Sequence, residues 1–237
     1  LALHCDEVVV WSAYDGYDYS LQTDYDKLWR DEVMAFQSVC DAYPGVRISL
    51  EYKPTDENTR FFAVPSTGAA VELMREIDRD NFGLTLDLGH CLMAGENPAQ
   101  SVAQVSRHRD SQGRSKLFGV QLGDGYGRLG SEDGLVFGSV HPVSAFEMVL
   151  WLVRSKYAGH IYFDTFPRNE DPVQEAELNI RAFTRMYRQV KMLLSDPKRR
   201  EELESCWKEH DALRVMLLLE SVQIDDMLQE REREREN

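Results

Sequence analysis

With 237 residues, 43% of them hydrophobic, the chain can bury one sizeable core. Its formal net charge of -14 excludes a sequence-independent hold on nucleic acid, which needs a basic face to neutralise phosphates, and disfavours an anionic membrane surface for the same reason. No apolar stretch approaches the roughly 18 residues of a membrane helix, and four scattered cysteines without a CxxC pair, Cys5, Cys40, Cys91 and Cys206, point to reduced thiols in a cytoplasmic protein.

Five short apolar runs follow one another: Val8 to Val10, Ile48 to Leu50, Leu84 to Leu86, Phe118 to Val120 and Ile161 to Phe163. Each is continuous and rich in β-branched or aromatic residues, as in strands buried on both faces. Successive runs begin roughly 34 to 43 residues apart, room for a loop, a helix and a return turn. The pattern predicts a repeating β/α unit, and the length suits a (β/α)₈ barrel. Only five units can be counted where a closed barrel needs eight, and the sequence opens without Met. We therefore expect a barrel lacking its first three units, with Val8 to Val10 as the fourth strand; an open five-stranded sheet is the alternative.

Between the runs, Asp24 caps a predicted helix from about Tyr25 to Tyr43, stopped by Pro44 and Gly45. Ser66 or Thr67 caps a second, to about Arg79, with Val71, Met74 and Ile77 on its core side. After Asp87 a Gly-containing turn leads to a helix from about Pro98 to Arg109, with Pro in its first turn. A Gly-rich loop from Gly123 to His141 precedes an apolar helix from Pro142 to about Lys156, and an amphipathic helix runs from Pro172 to about Leu194. Residues 1–195 thus form five β/α units. Residues 196–237 are helix-forming and highly charged, with an apolar set of Leu203, Trp207, Leu213, Met216, Leu217, Val222 and Met227. They predict a helical arm that packs on the barrel or on a neighbouring subunit of a homo-oligomer, with a frayed terminal Glu-Arg repeat.

A distinctive residue closes each run: Trp11, Glu51, Asp87, Gln121 and Asp164. Barrel strands direct their carboxyl ends to one mouth, so Glu51, Asp87, Gln121 and Asp164 would share a space. Three crowded carboxylates need relief by protonation or by a cation, and oxygen ligands suit a hard divalent ion such as Mg²⁺ or Mn²⁺. Glu51 and Lys53, two apart on a strand, face the same side; a structural ion pair is the simpler alternative. In Asp87-Leu-Gly-His90 a carboxylate and an imidazole stand three residues apart across a Gly turn, an arrangement able to hold one or two cations and leave the His ring for a water or a sugar oxygen; a helix cap is the simpler alternative for Asp87.

Four stretches in order, Glu51-Tyr-Lys-Pro54, Asp87-Leu-Gly-His90, Leu135-Val-Phe-Gly138 with Ser-Val-His-Pro142, and Phe163-Asp164, resemble the metal-dependent sugar isomerases with a xylose isomerase-like TIM barrel, nearest to the L-rhamnose isomerase and xylose isomerase branch. The resemblance implies an α/β fold of that type and an aldose-ketose isomerase acting on a small open-chain sugar, of L-rhamnose or D-xylose type, by metal-assisted hydrogen transfer between C1 and C2. It implies that Glu51, Asp87 and Asp164 bind a metal, Mn²⁺ first with Mg²⁺ or Co²⁺ possible. Asp87 would bridge to a second ion with His90. Lys53 would bond the oxygen near the migrating hydrogen, and Trp11 would form an apolar wall beside the sugar. Gln121 stands where these isomerases usually carry Asp or His, although related hydroxypyruvate isomerases resemble the chain here. Gly134 falls where a second-site acid belongs, leaving Glu132 and Asp133 as candidate ligands; a solvated acidic loop is the alternative. A ketose 3-epimerase and a non-catalytic barrel acting as a binding module are the competing functions. Lys53 speaks against the first, Gln121 and Gly134 for the second.

Overall fold

The apolar runs become five parallel strands, β1 (Glu7–Trp11), β2 (Arg47–Glu51), β3 (Phe82–Asp87), β4 (Leu117–Leu122) and β5 (His160–Phe163), lying side by side in that order. Helices α1 (Tyr25–Ala42), α2 (Thr67–Ile77), α3 (Leu88–Met93), α4 (Pro98–Ser106) and α5 (Pro142–Arg154) connect them, and α6 (Pro172–Ser195), α7 (Pro197–Glu209) and α8 (Ala212–Glu236) follow. This computed structural model describes residues 5–12, 17–55, 61–128 and 132–236. It divides into two units, Leu1–Asn179 and Ile180–Asn237, with the division inside α6.

Local chemistry sets the helix starts. Asp24 accepts from Lys27 N at 3.0 Å, Asn97 from Gln100 N at 3.0 Å, and Ser66, of the two candidates, caps α2 by accepting from Ala69 N at 3.2 Å. The turn predicted after Asp87 is instead the start of α3, because Asp87 is itself a cap. Leu50, Leu84, Leu86, Val120 and Leu122 of the strands are fully buried, as are Leu73 and Ile77 of α2, Val102 and Val105 of α4, and Met148 and Val149 of α5.

Burial on both faces holds for β3 and β4, every residue of which is buried, but not for the outer strands. Val8 and Trp11 of β1 are 50% and 45% exposed, and β5 is only half-buried. Among the described residues β1 pairs only with β2 and β5 only with β4, so each presents an open edge.

In the second unit Arg188 grips buried Asp226 with both Nε and Nη2, and Gln189 donates to the same carboxylate at 3.1 Å. The arm buries Leu203 and Val222 of its predicted apolar set, while Leu213, Met216, Leu217 and Met227 stay exposed. The terminal Glu-Arg repeat, expected to fray, continues α8 to Glu236. Opposite charges three residues apart, as at Glu230 and Arg233, are offset by like charges four apart, as at Glu230 and Glu234, so the helix there rests on the high helix propensity of Glu and Arg. No described helix is long and apolar enough to cross a membrane.

Candidate metal centre

Parallel register pairs Trp11 with Glu51 and Asp87 with Gln121, while Glu51 pairs with Thr85, two residues before Asp87 on the same face of β3. Asp164 lies just beyond β5, its N–H donating to Leu122 O at 3.0 Å. Buried Glu51 accepts from Gln121 Nε2 at 2.7 Å. That bond fixes the Gln121 amide and leaves its Oε1 buried without a hydrogen-bond partner. Asp87 accepts from His90 N at 2.8 Å, so the bond that starts α3 also turns the imidazole back over the strand ends. His90 Nδ1 lies 3.5 Å from Glu51 Oε1 and Nε2 3.3 Å from Glu132 Oε1. Glu132 is in turn paired with Lys53, whose ammonium lies 5.5 Å from the centre of the Trp11 ring.

Two triads of ligand atoms result. Those of Glu51, Asp87 and His90 lie within 4.8 Å of one another, as do those of Asp87, Glu132 and Asp164, with Asp87 common to both. Carboxylate oxygens and one imidazole make a donor set able to hold a divalent cation.

Asp133 does not join this set. Its carboxylate accepts from Tyr126 N at 2.7 Å and pairs with Arg128 at 3.2 Å, so of the two adjacent acids only Glu132 turns toward the strand ends. Asp124 is likewise committed to its loop, accepting from Val140 N at 2.8 Å and His141 N at 2.9 Å. A side chain at position 134 would be strained. Gly134 has φ 59°, and a Cβ there would lie 2.2 Å from the Phe166 ring. Sequence reasoning passed over Tyr52 and Glu96, which meet behind the centre; the alternation that turns Glu51 and Lys53 one way turns Tyr52 the other.

Burial raises Glu51 to about 7, with His90 opposing and Asp87 adding to the shift. Burial likewise raises Asp87 to about 6 against the pull of His90. Asp164 is raised by burial and by Glu132. Burial alone would raise Glu132 too, but His90 and Lys53 hold it down at about 2. Burial disfavours charge on His90, yet Glu132, Asp87 and Glu51 outweigh it and raise its pKa.

Glu51 and Asp87 titrate above their ordinary 4.5 and 3.8, so the fold holds protons that the unfolded chain has released. That contribution is full below about pH 4 and is lost as pH rises through about 6 and 7. A divalent cation displaces the same protons, so its apparent affinity climbs across that window. We expect Mn²⁺ to raise the melting temperature far more at pH 8 than at pH 5. Equal shifts at the two pH values would show that these carboxylates do not take up the ion.

A parallel β/α sheet with its polar residues gathered at the carboxyl ends of the strands is the architecture of a TIM-barrel protein. The profile of the xylose isomerase-like TIM barrel family matches residues 1–186, and the chain belongs to that family. It is 31% identical over 170 residues to the xylose isomerase of Thermus thermophilus, a match covering 69% of this chain and 42% of that protein. A xylose isomerase domain protein from Alicyclobacillus acidocaldarius superposes with a TM-score of 0.59 at 19% identity, over 80% of this chain and 66% of that one. The apo form of 3-keto-D-glucoside 4-epimerase from E. coli gives 0.55 at 19% identity, over 74% and 62%. At such identities the two structures bear on the fold alone. The chain spans about half the length of the curated relatives it matches.

Proposed function

We propose that this chain carries the metal-binding face of a sugar-transforming enzyme of the isomerase and epimerase type, and specifically of a divalent-metal-dependent isomerase that interconverts an open-chain aldose and its ketose. The observation that carries this reading is the convergence of Glu51, Asp87, His90, Glu132 and Asp164 at the carboxyl ends of adjacent strands, in two triads sharing Asp87. The raised Glu51 and Asp87 are what a cation would relieve.

Glu51, Asp87, Gln121 and Asp164 would hold the ion, with His90 and Glu132 beside it. When bound, a hard cation supplies Lewis-acid polarisation and a template for neighbouring sugar oxygens. Lys53, held over the same mouth by Glu132, is placed to donate to a sugar oxygen and to compensate negative charge that grows there. Trp11, with Lys53 against its ring, offers the apolar face along which hydrogen can pass between carbons away from water. Because Lys53 already neutralises Glu132 and position 134 carries no acid, we expect one divalent ion per chain.

The test is metal content together with conversion of D-xylose and L-rhamnose by the purified protein supplied with Mn²⁺, Mg²⁺ or Co²⁺. Bound metal and an isomerisation abolished by EDTA are expected; turnover that survives EDTA would overturn the reading. Inversion of a ketohexose at C3 without aldose formation would favour an epimerase, and an absence of bound metal would favour a binding module. Self-association through the arm belongs to the same proposal, supported by the exposed Leu213, Met216, Leu217 and Ile224 of α8.

A further inference from the structure

We propose that Tyr52 is the positioning residue of the centre, an inference that rests on the metal-binding reading above. It touches neither ion nor sugar in that reading. Through one buried hydroxyl it ties together the elements that carry Glu51, Lys53 and His90.

Tyr52 lies between Glu51 and Lys53 and is 1% exposed, its side chain directed away from theirs. Its hydroxyl donates to Glu96 Oε2 at 2.5 Å, and lies 2.9 Å from Thr67 Oγ1 and 3.2 Å from Cys91 Sγ. Each contact belongs to a different element. Thr67 opens α2, Cys91 follows His90 in α3, and Glu96 stands in the turn between α3 and α4. Glu96 closes the network, accepting from Thr67 N at 2.9 Å, with Thr67 Oγ1 2.8 Å from its Oε2 and 2.9 Å from Ser101 Oγ.

Two of the connections are one covalent step from the centre. Tyr52 is flanked by Glu51 and Lys53, and Cys91 is bonded to His90, so the Tyr52–Cys91 contact sets β2 against α3 where the imidazole faces the carboxylates. A network of this kind, buried at Tyr52, Thr67, Cys91 and Ser101 and half-buried at Glu96, favours one geometry, because breaking a buried member leaves another unsatisfied in a low dielectric. Removing the hydroxyl frees α3 to shift relative to β2, and with it the distances from His90 to Glu51 and Glu132.

The test compares the full wild-type chain with Tyr52→Phe, and with a core variant, Val149→Ala, chosen for a similar loss of melting temperature and lying in α5, which supplies no member of the network. Mn²⁺ affinity is read by titration, and the ¹⁵N resonances of the His90 imidazole are followed in metal-free protein. Tyr52→Phe is expected to weaken Mn²⁺ binding about tenfold or more and to shift and broaden the His90 signals, while Val149→Ala leaves both unchanged. Glu96→Gln, which keeps an oxygen for Thr67 N, should give the same change at smaller amplitude. If Tyr52→Phe and Val149→Ala behave alike in both readouts, the positioning role is overturned. If the wild type binds no Mn²⁺, the metal reading falls by itself, and the His90 resonances still decide for or against Tyr52.

Discussion

Asp87→Asn abolishes divalent-metal binding while leaving the fold intact, with an expected loss of affinity of about a hundredfold or more, beyond what the removal of an outer partner of a ligand costs. Asp87 is the residue common to both triads, so no arrangement of the remaining ligands substitutes for it. Asparagine preserves what the backbone requires, since its carbonyl oxygen can accept from His90 N as the carboxylate does at 2.8 Å and so keeps the start of α3. What it removes is charge. In metal-free protein that charge is a burden: Asp87 is 3% exposed, and burial has raised its pKa to about 6. The melting temperature of the metal-free variant should therefore equal or exceed that of the wild type. The signature is a stable protein whose melting temperature no longer responds to Mn²⁺. If Asp87 served only as a helix cap, the variant would keep the full Mn²⁺ response, and calorimetric titration separates the two outcomes.

That double role of Asp87 shows both how far the sequence could be read and where it stopped. A carboxylate at a strand end before Leu-Gly-His is legible as a ligand, and equally legible as a cap; the fold uses one oxygen for the cap, which turns His90 toward Glu51. The strands were legible because inner parallel strands must be apolar on both faces, as β3 and β4 are. The exposure of β1 was not, because an edge position is a property of the sheet and leaves no mark on Val8 to Val10. Two adjacent acids, Glu132 and Asp133, look alike on paper. Which one turns inward depends on the positive φ of Gly134 and on the donors Tyr126 N and Arg128 nearby. Tyr52 and Glu96 were invisible for a third reason: their bonds join residues far apart in sequence, and no spacing rule announces such a meeting.

Stability rests on a different set of small residues, and Gly83→Ala is expected to be among the most damaging single-atom additions this chain can receive. Gly83 pairs with Ser49 of β2, one position before Leu84 N donates to Lys116 O at 2.8 Å at the start of the β3–β4 ladder. A Cβ on Gly83 would stand 2.6 Å from that same Lys116 O and 2.6 Å from the Phe118 ring. The backbone oxygen cannot swing aside as a flexible side chain would, and the Phe118 ring is also engaged by the Arg47 guanidinium, 5.3 Å from its centre. β4 must move away from β3, loosening the ladder and the level alignment of Asp87 with Gln121 at its far end. Overpacking of a rigid core typically costs about 1–3 kcal/mol, and with the backbone as the obstacle the cost should lie at or above the upper figure. For a chain of this size that lowers the melting temperature by about 6–12 °C. Gly45→Ala adds the same methyl where nothing lies within 4 Å, so it controls for the change in backbone entropy and should shift the melting temperature little. A Gly83→Ala protein that melts with Gly45→Ala would mean that β3 and β4 can separate at no cost. In that event the strand ends would not hold Asp87 and Gln121 at a fixed distance, and the centre would owe its geometry to the loops instead.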